Sequence, residues 1–207
     1  MTQSDPSASG HKVGAIESLL RPSVDDVEAF LYRRRALIVH FSGSPPGVSS
    51  GVVNYYPDDL RYVIAGRART GVCCSVVTPS DNFHGAGTRN ALGCVGVVLE
   101  LCAPESLMAI SPSDCGSWVD SDGVRQCEMK DISITDLDDS LDLRSGHNEW
   151  VIADYRVLGI LAVAPFEIWD PTLAVVTTGL ADVIAAFPDQ PIFTFAAGRV
   201  WRTIDPV

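Results

Sequence analysis

The sequence lacks the motifs that mark the commonest nucleotide and zinc sites. Its 207 residues contain no GxGxxG, no GxxxxGK[ST] and no HExxH. The usual patterns for dinucleotides, triphosphates and metalloproteases are therefore missing. The stretch "GAGTRNALG" is rich in glycine, but it follows a loop instead of a strand and contains no lysine. It gives little support for a phosphate-binding loop.

Long apolar runs are missing as well. No stretch approaches the roughly 18 apolar residues that a membrane span needs, and the N-terminal "MTQSDPSASGHK" has no apolar centre of the kind found in signal peptides. We expect residues 1–12 to form a flexible tail and residues 13–207 to form a single globular domain, with 46% hydrophobic residues to fill its core. We also expect a cytoplasmic protein with no membrane partner.

The six cysteines do not follow a metal-binding pattern. The sequence has no CxxC pair and no pair of histidines at ligand spacing, so no metal site is predicted. Without an export signal, and with several set among valine and leucine, the cysteines are expected to be reduced and buried. They are Cys73, Cys74, Cys94, Cys102, Cys115 and Cys127.

A formal net charge of −11 argues against general affinity for nucleic acid. The charge is unevenly spread, because residues 31–70 hold six arginines and two aspartates, whereas residues 119–143 hold eight acids and two basic residues. The basic region can border an anionic ligand, and the acidic region can repel or select one. Two differently solvated faces explain the same pattern, so charge alone does not identify a function.

The order of the predicted elements, helices first and then many strands with long loops, indicates an α+β fold. "RPSVDDVEAFLYRRR" predicts the clearest helix, with Ser23 as its cap, acids in its first turn and arginines in its last. "PDDLRYVIAGRA" and "PTLAVVTTGLADVIAAF" predict two more helices, and residues 112–148 predict a long polar loop with short elements. Strands are predicted for "ALIVHF", "GVCCSVVTP", "CVGVVLELC", "LMAIS", "EWVIADY", "VLGILAV", "PIFTFA" and "RVWRTI".

A first catalytic hypothesis uses a thiol nucleophile. Cys73 or Cys74 would attack the substrate, with His84 as base and Asp81 as the residue that orients it. Closeness in sequence does not place these side chains in contact, and a cysteine between valines in a strand is usually a core residue. A cysteine-dependent hydrolase or deamidase therefore stands as an alternative.

A second hypothesis uses three polar residues at predicted strands. His40 lies near the end of "LIVHF", Ser75 lies in "CCSVVTP", and Glu149 opens "NEWVIADYRVLGILAV". These pieces resemble the three-part signature of the ADP-ribosyltransferase superfamily, and "NEWVI" with "LGILAV" is most similar to its DarT-like branch. The resemblance runs from residue 38 to residue 163. It implies helices packed on a mixed, mostly antiparallel split β-sheet, with NAD as a substrate.

The resemblance also implies a role for each residue. Glu149 would be the catalytic carboxylate, because cleavage of the nicotinamide–ribose bond creates positive charge at C1′ that a carboxylate near the 2′-OH stabilises. His40 and Ser75 would share in catalysis and contact NAD, and Arg67 and Arg69 would meet its pyrophosphate. This arrangement requires His40 and Glu149 to face a common cleft with Ser75 between them.

The same resemblance implies a toxin or defence-type enzyme that modifies a protein or a nucleic acid and has an antitoxin or inhibitor as partner. The segment before Glu149 would select the acceptor. A non-catalytic protein whose acidic surface binds a basic partner is the third hypothesis, and release of nicotinamide from NAD separates the transferase from both alternatives. The candidate acceptor-selecting residues are Asp136, Asp138, Asp139 and His147.

Overall fold

The computed structural model describes residues 22–41, 57–67, 71–79, 95–112, 132–141, 147–163, 166–169, 175–178, 180–196 and 200–206. The predicted tail at residues 1–12 lies outside these ranges, as do Arg69, Asp81 and His84. The helices are α1 Val24–Arg34, α2 Pro57–Ile64, α3 Ile134–Asp139 and α4 Leu180–Ala186, with a short 3-10 helix at Pro104–Ser106. In the described part of the chain, no helix is long and apolar enough to cross a membrane.

The strands are β1 Leu37–Phe41, β2 Val72–Val77, β3 Val95–Leu101, β4 Leu107–Ser111, β5 Glu149–Ile152, β6 Tyr155–Ala162, β7 Phe166–Trp169, β8 Val175–Thr178, β9 Ile192–Ala196 and β10 Val200–Ile204. Eight of them form one sheet in the order β10-β9-β6-β3-β1-β2-β5-β4, and β7 pairs with β8 separately. The pairs are antiparallel apart from β6 with β9. The predicted α+β class with a mostly antiparallel sheet is confirmed.

The first helix begins and ends as its sequence predicts. The Ser23 hydroxyl accepts a hydrogen bond from the Asp26 amide, and the Asp26 carboxylate accepts one from the Ser23 amide at 2.9 Å. This reciprocal cap satisfies two amide groups that the first turn leaves without helical partners. Arg35 ends the helix in the left-handed conformation. Val27 and Phe30 are the buried residues of α1, so this helix is held on the sheet by one apolar side.

The predicted late helix differs from the structure. "PTLAVVTTGLADVIAAF" was expected to be one helix, but Val175–Thr178 is strand β8 and the helix is only Leu180–Ala186. The four residues of β8 are all β-branched, which favours an extended backbone over a helical one. Within the predicted polar loop, Ser133 caps the six-residue helix α3 through the same reciprocal pairing, here with Asp136.

Alternate residues of the central strands lie on two faces of the sheet. On one face, which we call the helix face, strand residues pack with residues from α1, α2 and α3 in the main hydrophobic cluster. That cluster includes Val27, Phe30, Ile38, Leu60, Val63, Cys74, Val76, Val97, Leu137, Trp150 and Ile152. The opposite face, which we call the second face, has a smaller cluster of Val39, Val77, Val98, Leu161 and Val163.

Gly159 marks a close approach of β6 to the segment before β9. A Cβ atom at Gly159 would lie 2.2 Å from the Pro191 carbonyl oxygen, and φ is +154°. The Ile160 amide donates to the same oxygen at 2.8 Å, which holds the two backbones together. We expect Gly159→Ala to lower the free energy of unfolding by about 3 kcal/mol or more, because backbone must move to admit the methyl group.

Gly66 provides the matched control for this prediction. It has φ +64°, and nothing lies within 4 Å of a Cβ built on it. Gly66→Ala should therefore cost only the left-handed backbone penalty of about 1–2 kcal/mol. Urea unfolding of both variants measures the difference. Equal losses at the two positions would contradict the close approach at Gly159.

Candidate functional site

Three neighbouring strands carry the three candidate residues. β2 lies between β1 and β5 in the sheet. Val39 of β1 is opposite Ser75, and Cys74 is opposite Trp150 of β5. Because the β2–β5 pair is antiparallel, the next step in register brings Ser75 beside Glu149. Residues that are far apart in the sequence therefore lie on neighbouring strands of the sheet.

Ser75 and Glu149 share the second face. Their strand neighbours Cys74 and Trp150 both belong to the cluster on the helix face, and successive strand residues point to opposite faces. Both residues are buried, with exposed fractions of 4% for Ser75 and 9% for Glu149. On its other side, Glu149 is opposite Ser111 of β4. The acid thus lies between hydroxyl residues on both neighbouring strands.

His40 lies on the other face of the sheet. It is opposite Val97 of β3, which belongs to the cluster on the helix face together with Ile38. Its Nδ1 atom is 2.8 Å from the Cys73 carbonyl oxygen, and its Nε2 atom is 3.1 Å from Asp59 Oδ2 on α2. The predicted cleft shared by His40, Ser75 and Glu149 is therefore not formed. The imidazole instead links β1, β2 and α2.

Arg67 also belongs to the helix side of the molecule. It is exposed and follows α2, and its amide donates to the Tyr62 carbonyl at 3.3 Å. Since α2 packs through Leu60 and Val63 on the helix face, it lies on the side of the sheet opposite Glu149. The geometry does not support a ligand contact that Arg67 shares with Glu149. Arg69, the second predicted pyrophosphate contact, is outside the described ranges.

The two cysteines of the thiol hypothesis differ in their surroundings. Burial raises the pKa of the Cys74 thiol well above its ordinary value, and Cys73 and Glu149 nearby act in the same direction. Because the thiolate is the nucleophilic form, Cys74 is a poor nucleophile near neutral pH. Cys73 is exposed. The geometry therefore leaves Cys73 as the candidate of the two.

The described thiols test the expectation of reduced, buried cysteines in part. Among the described residues, the cysteines are the thiols Cys73, Cys74 and Cys102. Cys74 is buried, but Cys73 and Cys102 are exposed, so burial was wrongly predicted for these two. Cys73 is exposed within a strand, while Cys102 lies in the turn after β3.

The acidic segment before Glu149 is packed against the rest of the fold. Asp136 caps α3, and Asp138 forms an ion pair with Arg34 of α1. Trp150 donates from Nε1 to Ser140 Oγ at 3.0 Å, which joins the end of α3 to β5. Asp139 is exposed and His147 is half-buried. At least two of the acids therefore have structural partners within the chain. In the hypothesis of a non-catalytic protein, a basic partner would have to compete with these contacts.

Asn148, the residue immediately before Glu149, is not among the site residues that the sequence predicts. Its side chain is fully buried and hydrogen bonds to the main chain of Val76, while its carbonyl accepts from Ser75. An amide side chain is seldom fully buried unless all its groups are paired. An asparagine at the junction between a polar loop and a strand was the available signal for such pairing.

A surface cavity of about 170 Å³ lies elsewhere. The described residues that line it come from α1, β1, β3 and β6, together with Ala36, and none of them belongs to β2 or β5. Val27, Leu31, Val98 and Leu158 make it largely apolar. This cavity is distinct from the Ser75–Glu149 pair.

No family model, curated protein or solved structure matches the chain. The functional assignment therefore depends on the residues and contacts described above.

The burial of Cys74 leads to a direct chemical prediction. In the folded protein at about pH 8, we expect iodoacetamide to alkylate Cys73 at least roughly tenfold faster than Cys74, because a buried thiol with a raised pKa supplies little accessible thiolate. Peptide mass spectrometry after timed labelling measures each site. The urea-unfolded protein, in which the two thiols should react at similar rates, is the control. Equal labelling in the folded state would contradict the burial.

Proposed function

We propose that the chain is an NAD-dependent ADP-ribosyltransferase in which Glu149 is the catalytic carboxylate and Ser75 is its neighbour in the site. The observation that carries the proposal is that both residues, from separate parts of the predicted signature, lie on adjacent strands and on the same face of the sheet. The adjacency of β1, β2 and β5 also supports a sheet of the kind found in this superfamily. The proposal does not include His40 or Arg67 as NAD contacts.

A carboxylate in this position suits the chemistry of ADP-ribosyl transfer. The bond between ribose C1′ and the nicotinamide nitrogen breaks, and its electron pair leaves with nicotinamide. C1′ then has the character of an oxocarbenium ion, and a carboxylate that accepts a hydrogen bond from the 2′-OH stabilises that charge. The acceptor nucleophile forms the new bond to C1′ and loses its proton. With water as acceptor, the product is free ADP-ribose.

Burial strengthens the contribution that Glu149 makes. A negative charge acts more strongly on a developing positive charge where water is largely excluded than it does in bulk solvent. Glu149 is only 9% exposed, and it opens a strand in the interior of an eight-stranded sheet. A carboxylate fixed on a strand also needs little reorganisation during the reaction, which is the main advantage of a preorganised site.

The hydrogen bond of Ser75 defines its proposed role. Its hydroxyl donates to the Asn148 carbonyl oxygen at 2.8 Å. A hydroxyl has one hydrogen and two lone pairs, so Ser75 retains acceptor capacity once that hydrogen is engaged. We therefore assign to Ser75 the acceptance of a hydrogen bond from a ribose hydroxyl, and not donation to Glu149.

The proposed acceptor is a macromolecule, a protein or a nucleic acid, and the proposed setting is a toxin or defence-type enzyme in the cytoplasm with an antitoxin or inhibitor. These parts come from the resemblance of the strand motifs. The thiol alternative keeps Cys73 as its nucleophile, because this thiol is exposed. The two mechanisms use different residues and can be separated by substitution.

Glu149→Gln is the decisive substitution for this proposal. The amide keeps the size of the side chain but removes the negative charge, so we expect nicotinamide release from NAD to fall at least about 100-fold. Release is measured by chromatography with the wild type and the variant, and a melting curve establishes that the variant is folded. Cys73→Ser is the control and should leave release within about twofold of the wild type.

Two outcomes would reject the transferase. One is a wild-type protein that releases no nicotinamide with water, protein or nucleic acid as acceptor. The other is unchanged release in folded Glu149→Gln. Loss of a hydrolytic activity in Cys73→Ser alone would favour the thiol alternative.

His40→Ala tests whether the site consists of Glu149 and Ser75 without His40. His40 bonds to the Cys73 carbonyl and to Asp59, so we expect the variant to lose about 1–3 kcal/mol of unfolding free energy. We expect KM for NAD to stay within about twofold, because the imidazole is on the face opposite Glu149. Thermal melting and steady-state kinetics measure the two effects. A large rise in KM for NAD in a folded His40→Ala variant would indicate that His40 does contact NAD.

A further inference from the structure

We infer that Asn148 is the positioning residue for Glu149, a role that rests on the proposed function and adds to it a residue that sets the direction of the catalytic carboxylate. Asn148 is fully buried and directly precedes Glu149. It bonds to two consecutive residues of β2, the strand that lies beside Glu149. The inference concerns geometry next to the reacting groups and assigns Asn148 no contact with substrate.

The Asn148 amide takes the place of a main-chain partner. The Val76 amide donates to Asn148 Oδ1 at 2.8 Å, and Asn148 Nδ2 donates to the Val76 carbonyl at 3.2 Å. In an antiparallel pair, a residue directly opposite would supply this donor and this acceptor from its backbone. Here a side chain supplies both, one residue before β5 begins at Glu149. The Asn148 side chain therefore hydrogen bonds to β2 one residue before β5 begins.

Because the Asn148 side chain makes the two bonds to Val76, the Asn148 main-chain carbonyl can accept a hydrogen bond from another residue. Ser75 uses it, with a hydrogen bond of 2.8 Å from its hydroxyl. Three hydrogen bonds thus connect Asn148 with Ser75 and Val76. They hold the backbone that enters Glu149 and, through the same residue, orient the Ser75 hydroxyl. One residue, through its side chain and its main-chain carbonyl, therefore couples both members of the proposed catalytic pair.

The residue on the other side of Glu149 is fixed as well. Trp150 is fully buried on the helix face, donates to Ser140 and stacks near Phe30 with ring centroids 6.3 Å apart. Glu149 is therefore held between two anchored residues. The two residues have different partners, because the Trp150 side chain contacts α1 and α3 whereas the Asn148 side chain bonds to β2. This difference provides the control for the experiment.

The experiment compares Asn148→Asp, Asn148→Ser and Ser140→Ala in the full chain. Asn148→Asp keeps the shape but loses the donor to the Val76 carbonyl, and Asn148→Ser leaves a hydroxyl that can make one of the two bonds. Ser140→Ala removes two buried hydrogen bonds at the Trp150 anchor, the one that Trp150 donates to Ser140 and the one that Ser140 donates to the Leu137 carbonyl. Nicotinamide release gives kcat and KM for NAD, and hydrogen exchange by NMR gives the opening rates of the Val76 and Glu149 amides.

We expect Asn148→Asp to lower kcat about 100-fold with KM for NAD changed less than about twofold, because a misplaced catalytic group affects the chemical step more than binding. Asn148→Ser should recover part of the loss. Ser140→Ala should keep kcat within about threefold of the wild type even where its melting temperature falls as far as that of the Asn148 variants. Equal kcat in folded Asn148→Ser and Ser140→Ala would overturn the positioning role.

Hydrogen exchange separates failure of this inference from failure of the proposed function. If the wild type releases no nicotinamide, the transferase proposal fails, and the positioning role is decided on the amides. Faster exchange at Val76 and Glu149 in Asn148→Ser than in Ser140→Ala, at matched global stability, supports it. Equal exchange at these amides in the two variants overturns it. Should Asn148→Asp fail to fold, Asn148→Ser alone decides each comparison.

Discussion

The burial of Trp150 is the constraint on which the geometry of the candidate site depends. The indole is fully buried, packs near Phe30 and donates to Ser140. A strand has a side-chain period of two, so this one large residue fixes the face of every other residue in β5. Glu149 must then lie on the opposite face. A slip of one residue would remove the indole from the cluster on the helix face and place the carboxylate among the apolar side chains of that cluster, at a cost that disfavours it.

The same constraint determines how the acidic segment before β5 is held. Trp150 reaches Ser140 just after α3, and Leu137 of α3 belongs to the same buried cluster. The ion pair between Arg34 and Asp138 adds a link at the surface, where both side chains are more than half exposed and such pairs contribute little. Packing around Trp150, more than charge, therefore places α3, and at least two acids of this helix, Asp136 and Asp138, have partners within the chain.

Local signals predicted much of the fold from the sequence. Ser23, the acids of the first turn and the terminal arginines defined α1 because capping and dipole effects depend only on near neighbours. The strand from "LIVHF" and the strand that Glu149 opens follow from short apolar runs next to polar loop residues, which are also local signals. The late helix is shorter than predicted because the four β-branched residues of β8 favour a strand, although the apolar pattern of the segment is typical of a helix.

The site was harder to predict because it depends on pairing between distant strands. The order His40, Ser75, Glu149 does not say which face each side chain takes, and a single step of register decides it. The pairing Val39 with Ser75 places the serine one step out of phase with His40, whereas Cys74 with Trp150 keeps it in phase with Glu149. Sequence order alone is compatible with either outcome.

The contrast between His40 and Asn148 shows what an isolated motif leaves out. His40 matches the expected residue type, yet its ring nitrogens contact a carbonyl of β2 and a carboxylate of α2, which makes it a link between strand and helix. Asn148 matches no expected motif position, yet its amide and carbonyl hold the backbone on which the acid depends. A carboxylate acts on a transition state only through its position. The groups that define that position are therefore as much a part of the proposed site as the acid, and in this protein they are the buried amide and carbonyl of Asn148 and the buried indole of Trp150.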